Sequence, residues 1–284
     1  MGSSRPQLLG YTVESFRKNV ANFSNNHFKY YLHEDYVFDE QSKLSVKYAL
    51  DNGIFPVESK PKVGVGFAMN FMFEKYIKSD YLFYLQDDWE FERPIELDRL
   101  LWVMERNPQI NCVTFNKYRN MKPGHHQGGF DDKEYNFDGM SMTIYPGWQF
   151  LPGIWRMSKV REKWRVRENR PEGYYQNAFG SHDQRSERSY CEKNIGAYMY
   201  GPIGDYRYVR HIGGTWRMAE WQLKNGRPSG GLKHWDFQSV ERDRAPWLPK
   251  LEKRPMNSDI KLTEQGKKIL ETKPDHIKEI YKDV

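Results

Sequence analysis

Apolar and polar positions along this chain switch repeatedly between the helical period of 3.6 and the strand period of 2. Arg5 to Asn19 (RPQLLGYTVESFRKN) reads as a helix, with Pro6 in the first turn, where its missing N–H costs nothing. His27 to Leu32 (HFKYYL) reads as a strand that gives way to the acidic cluster His33 to Asp35. Ser42 to Asn52 is helical and stops at Gly53, a residue suited to the left-handed position past a helix end. A loop then runs to Gly64 and Gly66. Phe67 to Lys78 (FAMNFMFEKYIK) comes next as a helix, with Phe67, Met69, Met72, Phe73, Tyr76 and Ile77 near helical spacing. Tyr81 to Leu85 (YLFYL) is a short, wholly apolar run, the pattern of a strand buried on both faces.

The second half continues in the same style. Pro94 to Arg106 predicts an amphipathic helix and Ile110 to Asn116 a strand. Residues 117–140 are polar, glycine-rich and unpatterned, a loop of the length that usually forms a lid or binding loop. Met142 to Tyr145 is a short strand. Residues 156–170 (RMSKVREKWRVRENR) suggest a basic helix, and Ser181 to Asn194 a helix with Ser181 as cap and Gln184 completing a capping box. Arg207 to Ile212 is the last strand, and Gly213 and Gly214 come after it. Lys261 to Val284 predicts one or two short charged helices interrupted by Pro274. Alternating strands and helices imply an α/β fold with helices flanking a central sheet.

Candidate chemistry gathers at the end of the Tyr81–Leu85 run. Gln86 is followed by two adjacent acids, Asp87 and Asp88, before Trp89 and Phe91 resume the apolar pattern. Acids at the carboxyl end of a buried strand lie at the crevice where open α/β sheets bind ligands. Mg²⁺ or Mn²⁺ takes one or two carboxylates in such a place, with substrate phosphate oxygens completing its shell. A strand end turning polar in water explains one acid well and two in tandem less well.

The order of glycine-containing loop, helix, strand and acid pair, and above all LQDDW at Leu85 to Trp89, resembles the GT-A type of glycosyltransferase. It comes nearest the family-2-like enzymes, whose motif reads roughly yl-hLEDDW. The resemblance spans about residues 5–215 and implies a GT-A-like mixed central sheet flanked by helices, with 216–284 as a C-terminal helical or irregular extension. It further implies a nucleotide-sugar donor, a UDP-sugar first of all, and Mn²⁺ or Mg²⁺ held by Asp88. Asp87 would lie near the ribose or sugar and Asp35 at the donor base. Gly64 and Asn70 would complete the donor site. His211, in an H-I-G sequence, matches the family's second metal ligand. The general base of an inverting enzyme falls on Asp183 in the first turn of its helix, with Glu187 one turn on as second candidate and Glu192 as third. Trp148 and Trp155, in WQFLPGIW, match the region beneath the acceptor, where they either stack on it or pack against the sheet. The chain departs from the pattern twice: Gln86 replaces the first acid, and almost nothing precedes the Arg5–Asn19 helix, where a first strand is usual.

Composition narrows the remaining choices. The 284 residues suffice for one large α/β domain with an appendage, and no stretch nears the roughly 20 apolar residues that span a bilayer. Together with two unpaired cysteines this suggests a cytoplasmic protein without a disulfide framework. His125 and His126 lack a third ligand at metal spacing. A net charge of +6 favours an anionic partner. Arg161, Arg165 and Arg167 in the basic helix, with Arg185, Arg188, Arg207 and Arg210 later, suit a polyanionic acceptor. Three readings compete: transfer to a glycan or similar hydroxyl acceptor, transfer to hydroxymethylated bases of DNA, or a non-catalytic binding protein on the same scaffold.

Overall fold

The computed structural model describes residues 1–2, 4–24, 27–35, 39–59, 65–117, 133–144, 150–163, 196–213 and 271. Helix α1 (Pro6–Asn19) starts on the proline and buries Leu8, Leu9, Thr12 and Phe16 along one stripe. Strand β1 (Tyr31–Asp35) lies parallel to β2 (Phe55–Ser59), with helix α2 (Asp39–Asp51) crossing between them. Gly53 takes the left-handed conformation at φ 69° after α2, as its position predicts.

A six-stranded sheet forms the centre, in the order β3-β8-β5-β9-β7-β6. Its strands are β3 (Tyr81–Tyr84), β5 (Cys112–Phe115), β6 (Glu134–Phe137), β7 (Met140–Ile144), β8 (Gly153–Arg156) and β9 (Ala197–Tyr200). Only β5 and β9 pair in parallel; every other neighbour is antiparallel, so the sheet is mixed. All four residues of β5 are buried, as befits an inner strand covered on both faces. Helices α3 (Val65–Lys75), α4 (Leu97–Arg106) and α5 (Met157–Lys163) flank it. Leu97, Leu100, Val103 and Met104 form the buried stripe of α4. A separate antiparallel pair joins β4 (Trp89–Phe91) to β10 (Val209–His211). The result is a mixed α/β fold with helices around a central sheet.

Residues 1–2 link the β1–β2 pair to this sheet. Gly2 N–H donates to His33 O at 2.7 Å and Asp35 N–H to Gly2 O at 3.0 Å. On the other side Met1 N donates to Leu85 O at 2.9 Å, and Asp87 N–H to Met1 O at 2.9 Å. Each set has the parallel ladder pattern, so this dipeptide spans both edges at the end where the acid pair stands.

Several boundaries differ from those that the residue pattern predicts. The acids of His33–Asp35 are part of β1 rather than beyond it, because β2 pairs with all of them. Residues 55–59, expected as loop, form β2. Gly66 lies inside α3 instead of preceding it. The expected loop at 117–140 contains β6 and the start of β7. These are joined by a two-residue hairpin at Asp138 and Gly139, with φ 51° and 84°, the Asp-Gly signature of a tight turn whose twist suits the strands. β3 is not buried throughout: Tyr81, Leu82 and Phe83 are only half-buried. The boundary at residue 215, the 181–194 helix and the C-terminal helices lie outside the described residues.

Candidate functional site

β3 ends one residue before Leu85 and Gln86, and the chain turns at Asp87 and Asp88 into β4. The two acids are 2% and 3% exposed. Two carboxylates withdrawn from water this far demand a counter-charge, and the N-cap residue of α1 supplies it. Arg5 Nη1 donates to Asp88 Oδ2 at 2.8 Å, Nε to Asp87 Oδ2 at 3.2 Å, and Nη2 to Asp87 Oδ1. The planar fork of a guanidinium suits this double engagement, which an ammonium could not reproduce.

His211 closes the other side. The β4–β10 register sets it opposite Trp89, where the two rings stack at 4.7 Å, and its Nε2 lies 3.1 Å from Asp88 Oδ2. The chain after His211 then wraps the acid: Ile212 and Gly213 N–H both donate to Asp88 O, at 2.9 and 3.3 Å. Gly213 is required by this close approach, since a Cβ there would stand 2.7 Å from Asp88 Cγ. From below, α1 fastens β4, with Thr12 Oγ1 accepting from Trp89 N–H and Ser15 Oγ from Phe91 N–H, each at 3.1 Å.

The electrostatics separate the two acids. Burial works against the charge of Asp88, but the His211 hydrogen bond and Arg5 outweigh it and hold its carboxyl below the ordinary range. Burial pushes Asp87 upward, with Arg5 opposing and the neighbouring Asp88 adding to the rise. Beside them sits Glu34, wholly buried, accepting from Ser4 N–H at 2.7 Å. Burial raises it to about 8. Glu34 is thus kept largely neutral while Asp88 keeps its charge.

Asp88 Oδ1 is buried and among the described residues has no hydrogen-bond partner, which leaves one carboxylate oxygen open next to an imidazole nitrogen. That pair of donors fits a divalent cation that draws its remaining ligands from phosphate oxygens and water. Among the described residues no third His, Cys, Asp or Glu joins them.

The residues singled out from sequence fare unequally. The structure places Asp87 and Asp88 side by side at the end of β3, with His211 Nε2 3.1 Å from Asp88 Oδ2. Asp35 is the last residue of β1, 5% exposed, and its main chain is used by Gly2. Asn70 stands mid-way along α3 rather than near its start, because the helix begins at Val65. Trp155 packs rather than stacks on a ligand: it is 0% exposed, its ring 4.6 Å from Tyr84 and nearly parallel to it. Arg161 donates to the Ile77 and Ser79 carbonyls at 3.2 and 3.0 Å, fastening α5 to the segment before β3. Arg207 and Arg210 are held by acids in and just after β4, Arg207 on Glu92 at 2.6 and 2.9 Å and Arg210 on Glu90 at 2.8 Å. Gly64, Trp148, Arg165, Arg167, Asp183, Glu187 and Glu192 lie outside the described residues. Sequence reasoning missed Arg5, which it takes only as a helix start. The available signal was chemical: two acids forecast at a buried strand end require a cation somewhere, though nothing local says which.

Neither a scan of protein-family models nor a search of curated proteins finds a match. Solved structures do align. S. aureus TarS 1-349 in complex with UDP-GlcNAc is 8% identical, covering 85% of this chain and 68% of that one, with a TM-score of 0.47. The mannosyltransferase PcManGT from Pyrobaculum calidifontis, in complex with GDP-Man and Mn²⁺, is 10% identical over 84% of this chain and 67% of its own, TM-score 0.46. GalNAc-T7 with UDP, GalNAc and Mn²⁺ is 14% identical over 72% and 40%, TM-score 0.45. The chain spans 41% of the longer TarS structure. Scores below 0.5 leave the function to be argued from the site itself.

Proposed function

We propose that this protein is a metal-dependent glycosyltransferase of GT-A type that moves a sugar from a nucleotide-sugar, a UDP-sugar first, to a hydroxyl acceptor. The observation that carries the reading is the buried, unpartnered Asp88 Oδ1 beside His211 Nε2, at the strand end where LQDDW resembles the family's acid motif. Asp88 and His211 would hold the cation, Mn²⁺ or Mg²⁺. Once bound, it offsets the negative charge that develops on the leaving diphosphate. The chain's own residues do the rest. Arg5 keeps Asp88 ionised and Asp87 in place, so the donor meets a preformed site. Asp87, Asp35, Asn70 and Gly64 form the donor side. An inverting displacement needs a carboxylate to take the acceptor hydroxyl's proton, and Asp183 is assigned that role, with Glu187 as second candidate. The helix start that the sequence predicts at Ser181 would favour the anion of Asp183 and lower its basicity, which desolvation by the acceptor would have to counter.

The ion-paired Arg207 and Arg210, and Arg161 spent on carbonyls, favour a glycan or similar small acceptor over DNA. A mass-spectrometric screen of nucleotide-sugars against acceptors, duplex and single-stranded DNA included, tests the reading with Mn²⁺ present. Transfer to a hydroxyl compound supports it. Absence of both transfer and donor hydrolysis with every nucleotide-sugar would leave a binding protein instead.

A further inference from the structure

Gln86 stands where the resembled enzymes carry the first acid of their motif. The chain turns at Asp87 and Asp88, so Gln86 and Trp89 flank the turn that bears both acids. Across that turn Trp89 Nε1–H donates to Gln86 Oε1 at 3.4 Å, and Gln86 Nε2 donates to Tyr84 Oη at 3.2 Å. An indole nitrogen can only donate, so the amide oxygen has to face Trp89 and the amide nitrogen Tyr84. Trp89 is buried, and among the described residues Gln86 is the one acceptor for its ring N–H.

The contacts continue on both sides of this amide. Behind it, Tyr84 is buried, nearly parallel to Trp155 at 4.6 Å and 5.5 Å from Phe150, so it is anchored in the core. In front of it, the Trp89 ring lies against His211 at 4.7 Å, with 26° between the planes. The His211 side chain is 41% exposed and sits on a three-residue strand. An imidazole so open to water turns about two bonds unless contacts select one orientation. Among the described residues two contacts do so: the Trp89 stack and the approach of Nε2 to Asp88 Oδ2 at 3.1 Å. The stack sets the plane of the ring, and the Asp88 contact sets which edge faces the acid.

We propose that Gln86 is a positioning residue for the candidate metal centre: its amide holds the Trp89 indole, and the indole face holds the His211 ring with Nε2 beside Asp88. The role rests on the metal-site reading above. It also gives the replaced acid a reason. A carboxylate at position 86 could accept the indole N–H, but it would bring a third negative charge to a turn whose two buried acids share one guanidinium. The neutral amide accepts from Trp89 and donates to Tyr84 without that charge. Partners of this kind orient a ligand without touching the metal, and losing one typically weakens metal affinity about 10–100-fold.

The test compares Gln86→Leu and Gln86→Glu with the parent protein at one pH. Leucine removes both amide hydrogen bonds, whereas glutamate keeps an acceptor for the indole. Without metal, the NMR signals of the His211 ring protons, assigned by their loss in His211→Ala, report the stack through the displacement that the Trp89 ring current imposes. That displacement should be largely lost in Gln86→Leu and kept in Gln86→Glu. Mn²⁺ affinity, read from the paramagnetic resonance of the free ion, should fall at least about tenfold in Gln86→Leu and be largely kept in Gln86→Glu. Should Gln86→Leu fail to fold, Gln86→Met, unbranched and of similar length, takes its place. An unchanged His211 displacement overturns the proposal. So does an equal loss in the leucine and glutamate variants, or a lost displacement with unchanged Mn²⁺ affinity. If the parent itself binds no Mn²⁺, the metal-site reading falls, and the His211 displacement alone then decides whether Gln86 orients the ring.

Discussion

Arg5→Met isolates the interaction on which the acid pair depends. Methionine keeps an apolar stem of similar reach and removes the guanidinium that bonds to both Asp87 and Asp88. Breaking a buried ion pair from one side costs about 3–5 kcal/mol, because the remaining charge is stranded. Here two carboxylates remain, but the Arg5 side chain is 23% exposed, so water reaches the gap and the lower end, about 3 kcal/mol, is the expected loss near neutral pH. The loss must depend on pH. With Arg5 present, Asp88 lies below the ordinary range and contributes stability that is present above the unfolded carboxyl value and fades as pH falls. Without Arg5 both acids move upward, and a raised carboxyl loses stability as pH climbs from about 4 towards its folded value. The difference between the two proteins is therefore largest at pH 7–8 and shrinks towards pH 4–5. Glu34 titrates in both and cancels to first order. Urea unfolding of each protein at pH 7.5 and pH 5 measures it. A loss below about 1 kcal/mol at pH 7.5, the ordinary weight of a surface pair, would refute this coupling. An equal loss at both pH values would do the same.

Four further outcomes are expected. Asp88→Ala should abolish transfer while leaving the circular-dichroism spectrum intact, and should weaken Mn²⁺ binding in calorimetry; near-normal turnover in Mn²⁺ contradicts the metal site. Asp183→Asn should leave donor affinity alone and cut turnover by about two to four orders of magnitude, whereas the same loss in Glu187→Gln alone would exchange their roles. Gly213→Ala forces a Cβ to within 2.7 Å of Asp88 Cγ and should cost about 1–3 kcal/mol in unfolding, together with most of the Mn²⁺ affinity. Glu34, raised to about 8, has stability that is complete below its unfolded value near 4.3 and declines as pH rises to 8. Glu34→Gln should flatten that decline and be more stable than the parent protein at pH 8, and unchanged pH dependence would show that Glu34 is not buried as a neutral acid.

Local pattern alone determined much of this protein. The stripe of α1, the proline at its start, the Gly53 stop, the amphipathic α4 and the apolar β5 come from periodicity and from the backbone limits of proline and glycine, which act within a few residues. The acid pair after β3 was legible for the same reason: an apolar run ending in two carboxylates is conspicuous whatever surrounds it. Where local signals were overlooked, as at the Asp138–Gly139 hairpin, the chemistry was still in the sequence. Only the tertiary structure decided the partners. Asp87 and Asp88 are separated from Arg5 by more than eighty positions and from His211 by more than one hundred and twenty, and no spacing rule connects them. The same holds for the fate of the cations. Arg161, Arg207 and Arg210 look available for a polyanion in the sequence, but folding places carbonyls, Glu90 and Glu92 against them, because ion pairs form by proximity in space. Trp155 could stack or pack on sequence grounds, and its place on an inner strand beside Tyr84 chose packing. Residues on one element announce themselves by their period; a site assembled from the ends of α1, β3 and β10 exists only once long-range contacts bring those ends together.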